Sequence, residues 1–184
     1  MSLDPALYLE NSFLSDYLKT SDLTDLSYNG EDLFYATNSR GRVKAEKQPK
    51  LSEVADFLRQ IANLCEKQFS FSAPILDVSF GRYRLNAVYQ SLARSQNEKT
   101  YTFSLRLASS GCRISEDPNF FGGESKGILL GILQQGESIV IGGKTSSGKT
   151  ELEKYLLNAM APSSRVIVID NVEELDMVEN PSID

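Results

Sequence analysis

The chain contains no histidine. That absence excludes histidine general bases, Ser-His-Asp triads and zinc–histidine centres, so any proton transfer must fall to carboxylates or lysine. Cysteine is scarce too: Cys65 and Cys112 are the only two, far apart and in no metal-binding spacing, and they read as reduced thiols. Positive charge is in deficit, with 19 Lys+Arg against 25 Asp+Glu and a formal net charge of −6. A general nucleic-acid binder needs a basic stripe to displace counterions, so no sequence-specific nucleic-acid binding is expected. Long hydrophobic runs are missing. The richest, "GILLGIL" (Gly127–Leu133), is far below spanning length. The opening "MSLDPALYLENSF" lacks the basic and apolar regions of a signal peptide. The expectation is a cytoplasmic protein, with peripheral docking on the inner face of the cell membrane left open.

The 184 residues suffice for one generous domain or two small ones. In "DPALYLENSFLSDYLKT" the apolar residues Leu7, Leu9, Phe13, Leu14, Tyr17 and Leu18 fall at helical spacing. "TDLSYNGEDLFYATNSRGRVKAE" reads as short strands punctuated by Asn29-Gly30 and Arg40-Gly41. "LSEVADFLRQIANLCEKQF" is the clearest helix: Leu51, Val54, Leu58, Ile61, Cys65 and Phe69 share a face, with Ser52 as the expected N-cap. "APILDVSFGRYRLNAVYQSLARS" and "KTYTFSLRLASSG" alternate like strands of a half-exposed sheet, with Leu76, Val78 and Phe80 on one side. These segments predict an α+β N-terminal domain over residues 1–112 and a glycine- and serine-rich linker over 113–126.

Beyond the linker the pattern changes. "KGILLGILQQG" suggests a short helix, "ESIVIGG" a buried strand, "KTELEKYLLNAM" a second helix and "SRVIVIDN" a second apolar strand. Continuously apolar strands alternating with helices indicate a parallel sheet covered on both faces. Between the first strand and the second helix stands Gly143-Lys144-Thr145-Ser146-Ser147-Gly148-Lys149-Thr150, a G-x-x-x-x-G-K-[ST] run. Polyphosphate is a dense negative charge. Backbone N–H groups curling around it at a helix N-terminus give directed donors and a favourable dipole. Lys149 would reach the β- and γ-phosphates, and Thr150 would place its hydroxyl on Mg²⁺. Asp170 ends the second apolar strand. It is placed either to hold Mg²⁺ and orient water beside the phosphates or in a merely solvated acidic loop.

These motifs, in this order and with "GRYRLNAV" upstream, resemble the traffic ATPases of type II and type IV secretion, the CpaF-like and GspE-like enzymes. "TDLSYNGEDLFY" is similar to the family's early hairpin, "PILDVSFGRYRLNAVYQSLARSQNEKTYTFSLRLA" to its arginine-bearing segment, and "RVIVIDNVEEL" to its Asp box. The resemblance implies an α+β N-terminal domain followed by a partial RecA-like α/β P-loop domain, residues 127–184, that stops before Walker B. It implies ATP and Mg²⁺ as ligands and a catalytic role for Lys149, Asp170 and Glu174. It also implies that Arg84 and Arg106 reach toward nucleotide; the other reading of these two is exposed strand arginines. The implied parent is a ring-hexameric motor for secretion, pilus assembly or conjugation, partnered by inner-membrane components. The sequence departs from the pattern in places. Ser146 replaces the usual glycine, Glu151 a common threonine, Asp170 the usual glutamate and Asn171 the usual aspartate. Ser146 is tolerable at negative or mildly left-handed φ, and the two changes at the Asp box touch hydrolysis more than binding. A rival reading makes the N-terminal domain a non-catalytic module that docks on a secretion complex.

Overall fold

The computed structural model describes residues 4–108, 112, 114, 119–144, 147–169 and 175. The chain divides into two compact units, Met1–Ala108 and Ser109–Asp184. It is a mixed α/β protein whose principal sheet is antiparallel throughout.

The first unit opens with helix α1 (Pro5–Glu10). Asp4 caps it, its carboxylate accepting the Ala6 N–H at 2.9 Å, and Pro5 fills the first turn where no N–H is needed. The helical spacing predicted through Leu18 is interrupted. Asn11 donates its side-chain amide to the Leu7 carbonyl and Ser12 its hydroxyl to that of Leu9, and the chain restarts as α2 (Ser15–Leu18). Short polar side chains compete for backbone groups in this way and end helices.

Strands β1 (Leu23–Tyr28), β2 (Leu33–Thr37) and β3 (Gly41–Lys44) follow as a meander. A register shift between Leu23 and Asp25 marks a bulge in β1. The extra residue explains why its buried positions, Leu23, Leu26 and Tyr28, are spaced three and then two apart. The Asn29-Gly30 turn is longer than a two-residue hairpin: the Asn29 side-chain oxygen accepts the N–H groups of Glu31 and Asp32. Gly30 has φ +105°, and a Cβ there would lie 2.6 Å from Cγ2 of Thr100. No other residue fits that turn without displacing Thr100.

Helix α3 (Leu51–Leu64) begins one residue before the predicted cap. Glu53 reaches back to the Lys50 N–H at 2.8 Å, so this bond, rather than Ser52, closes the first turn. Val54, Phe57, Leu58 and Ile61 form its buried face. Strands β4 (Ile75–Phe80), β5 (Tyr83–Val88) and β8 (Thr102–Leu107) complete a six-stranded sheet of order β3-β2-β1-β8-β5-β4. Between β5 and β8, a small hairpin of β6 (Arg94–Ser95) and β7 (Glu98–Lys99) stands as a separate ribbon. The central strands alternate strictly, burying Leu76, Val78, Tyr83, Leu85, Phe103 and Leu105 in one cluster with the helices and turning Asp77, Arg84, Asn86, Ser104 and Arg106 the other way. Period-2 patterning is what fixes this register.

An exposed carboxylate ties down the turn into β3. Asp22 accepts the Ser39 hydroxyl at 2.6 Å and its N–H at 3.2 Å, which holds its pKa below the ordinary 3.8. A depressed carboxylate stabilises the fold above its unfolded pKa, and that contribution is lost as pH falls through the folded value. Asp22→Asn is therefore expected to flatten the acid limb of the stability–pH curve below about pH 4, as read from urea midpoints, while leaving the slope at neutral pH unchanged.

The second unit holds helices α4 (Ser125–Gln134) and α5 (Lys149–Asn158). The two predicted strands of a parallel sheet are not formed among its described residues. Within 137–144 no strand is present, and Val140 is 95 % exposed. In the other segment Val166 is buried, but Ile167 is 67 % and Ile169 93 % exposed. The physical reason is that a continuously apolar strand needs neighbours on both edges and cover on both faces. Among the described residues of this unit, two ten-residue helices stand beside the segments and no further strand does.

Candidate functional site: the glycine-rich loop before α5

The predicted site residues fall into three groups. Gly143, Lys144, Ser147, Gly148, Lys149 and Thr150 lie together in the second unit, at the entrance to α5. Arg84 and Arg106 lie together in the first unit, directly opposite each other on β5 and β8. Thr145, Ser146, Asp170 and Glu174 lie outside the described residues, as does Asn171.

The local fold of the loop follows from its glycines. Gly148 is the N-cap of α5 with φ +86° and ψ 16°, a left-handed conformation that a Cβ opposes. It turns the chain sharply into the helix, whose first bond runs from the Leu152 N–H to the Gly148 carbonyl at 2.9 Å. Gly143 contributes differently. A Cβ there would sit 2.7 Å from Oγ of Ser147, so any side chain at 143 would make that hydroxyl rotate away. The Lys144 carbonyl ties the loop to the helix start: it accepts the Ser147 N–H at 3.3 Å and the Lys149 ammonium at 2.7 Å. Lys149 thus lies folded back over its own loop. The first-turn N–H groups of any helix have no intrahelical partner, and the helix dipole puts positive potential there.

Chemically this is an exposed ammonium beside the first-turn N–H groups of a helix. It suits an oxyanion carried on a flexible ligand. Glu151, in the first turn, would oppose such an anion. Its carboxylate lies 3.8 Å from the ammonium of Lys154, which is only 2 % exposed. The structure buries Leu156 and, unexpectedly, Lys154. The i,i+3 spacing of Glu151 and Lys154 was the available signal, because an acid three residues before a lysine pairs along a helix. Behind the same turn, the Cys112 thiol donates to the Glu151 carbonyl at 3.5 Å. Both cysteines are free, and burial pushes the Cys65 thiol upward in pKa.

On the sheet face, Arg84 pairs with Asp77 at 3.3 Å, while Arg106 stands between Asp25 and Arg84 in register. Like charges directly opposite across strands are unfavourable, and the flanking carboxylates of Asp25 and Asp77 offset this. Among the described residues no cluster of His, Cys, Asp and Glu could hold a metal ion. Nor is any helix there long and apolar enough to cross a membrane.

No protein-family model matches the chain. It is 28 % identical over 162 residues to an uncharacterized protein of Bacillus anthracis, an alignment that covers 83 % of this chain and 35 % of that protein. The chain therefore spans about a third of the length of that curated relative. Among solved structures, it aligns with the VirB11 ATPase of the Brucella suis type IV secretion system, determined in complex with sulphate. The TM-score is 0.48 and the identity 20 %, over 97 % of this chain and 62 % of the Brucella chain.

Proposed function

We propose that the loop from Gly143 to Thr150 is the phosphate cradle of an ATP site, and that the chain is part of an ATP-driven motor subunit of a type II or type IV secretion, pilus-assembly or conjugation system. One observation carries the first half. The G-x-x-x-x-G-K-T run coincides with a left-handed Gly148 that opens a helix, and its lysine is gathered onto the loop's own carbonyl. The residues present suit a polyphosphate. The loop is stripped of side chains at Gly143 and Gly148, where a Cβ would fill it or strain it, and a mobile ammonium stands ready to exchange the Lys144 carbonyl for a phosphate oxygen.

In this reading the loop amides and Lys149 would hold and orient the β- and γ-phosphates, and the Thr150 hydroxyl, with Asp170, would hold Mg²⁺. Bound Mg²⁺ would supply charge neutralisation at the phosphates. Asp170 and Glu174 would support Mg²⁺ and the attacking water. Phosphoryl transfer depends mainly on positioning and charge, so a chain with this cradle binds nucleotide whether or not it turns it over. The second half of the proposal, the secretion motor with ATP, Mg²⁺, inner-membrane partners, a hexameric ring and a cytoplasmic location, rests on the ordered sequence motifs.

Titration of the chain with Mg²⁺-ATP by calorimetry tests the site. Saturable binding at one site per chain, displaced by tripolyphosphate, is expected. Absence of saturable heat at millimolar nucleotide overturns the assignment.

A further inference from the structure

A phosphate cradle alone cannot tell a nucleotide from an inorganic polyphosphate, because everything it contacts is phosphate. A contact to the base must make that distinction. Among the described residues, Phe120 stands beside the loop. The ring of Phe120 abuts Gly148: a Cβ built on that glycine would lie 3.1 Å from Cε2 and 3.5 Å from Cζ of Phe120. The ring meets the loop by its tip, through the meta-to-para edge.

The ring is also held in place. Phe121 meets Phe120 edge-on, centroids 5.2 Å apart at 81°, and itself packs on Tyr155 of α5 at 5.0 Å. Lys126 of α4 lies 5.6 Å over the same tyrosine ring. Phe120 is therefore tied, ring by ring, to the helix that the loop opens. Yet it stays 37 % exposed. An anchored, part-exposed aromatic ring next to a polyphosphate loop matches the platform on which bases stack.

We infer that Phe120 is the nucleobase platform of this site and makes it selective for nucleoside triphosphates over inorganic polyphosphate. The inference rests on the reading of the loop as a nucleotide site. Stacking uses the π-face that every base has, so the platform separates nucleotides from tripolyphosphate strongly and one base from another weakly.

The test compares Mg²⁺-ATP with Mg²⁺-tripolyphosphate on the full chain and on Phe120→Ala. The variant is expected to bind ATP about tenfold more weakly and tripolyphosphate within about twofold of the parent. The chain has no tryptophan, so Phe120→Trp adds a reporter at this position alone. It should retain ATP affinity, and its emission should be quenched by ATP and left unchanged by tripolyphosphate. Equal loss of both ligands, equal gain of both, or no change in either overturns the platform while leaving the phosphate site standing. If the parent binds neither ligand, the nucleotide site itself falls and the platform with it.

Discussion

Truncating Phe57 to alanine is expected to lower the stability of the first unit by about 3–5 kcal/mol. Phe57 is the point where the helical layer meets the sheet. Its ring stacks on Tyr8 of α1 at 6.2 Å, meets Phe13 edge-on at 5.4 Å and reaches Phe103 of β8 at 5.9 Å. It is 2 % exposed. Its removal takes away the transfer energy of a buried ring and leaves a cavity bounded by three other rings, which cannot all collapse inward because each belongs to a different element. Phe71 is the control: a phenylalanine 73 % exposed, whose truncation should shift stability by less than about 0.5 kcal/mol. Urea unfolding followed by far-UV circular dichroism separates the two. Equal midpoints for the two variants would show that α3 is not seated on the sheet through Phe57.

Most of the first unit could be read from its sequence, and the exceptions have local causes. Helix α3 was legible because burial on one face imposes a 3.6-residue period over four turns. Strands β4, β5 and β8 were legible because one side of the sheet faces the helices and the other does not, which imposes strict alternation. The break after α1 was hidden because Asn11 and Ser12 preserve the helical spacing of the apolar residues while their side chains capture the Leu7 and Leu9 carbonyls. The β6–β7 ribbon was missed for want of glycine. Its turn residues Gln96 and Asn97 take φ of 48° and 68°, the pair of positive angles that a two-residue hairpin demands, and asparagine was the only hint.

In the second unit sequence pattern and local structure part company. The apolar runs around Val140 and Ile167 carry the composition of central strands, but composition cannot supply the neighbouring strands that such segments require. Helix α5 needed no such help. Its start is encoded by Gly148 and the residues after it, so the loop–helix junction forms where the flanking strands do not. The turn from loop into helix was therefore legible at Gly148, because it rests on backbone geometry close in sequence. Phe120 was not legible, because its relevance arises only when the chain brings it back against Gly148.

Lys149→Ala is expected to weaken Mg²⁺-ATP binding by about one to two orders of magnitude, the worth of a charge-assisted hydrogen bond to phosphate of roughly 1.5–3 kcal/mol. The same change should hardly touch stability. In the free chain the ammonium bonds only the Lys144 carbonyl among the contacts described for it, and that bond is solvent-exposed. Water replaces an exposed donor at little cost, so the midpoint of unfolding should move by less than about 0.5 kcal/mol. The combination is diagnostic. A lysine that merely buttressed the loop would lose stability and ligand together, whereas a ligand-binding lysine loses the ligand alone. Lys149→Arg sharpens the comparison. It keeps the charge and can still reach a carbonyl, but its broad planar fork does not substitute for a compact ammonium inside a tight backbone loop. If arginine restored ATP affinity fully, charge near the helix terminus would be sufficient and the loop would not be shaped around Lys149. If both variants lose ATP while unfolding at the parent's midpoint, the shape of the loop and the position of the ammonium act as one site.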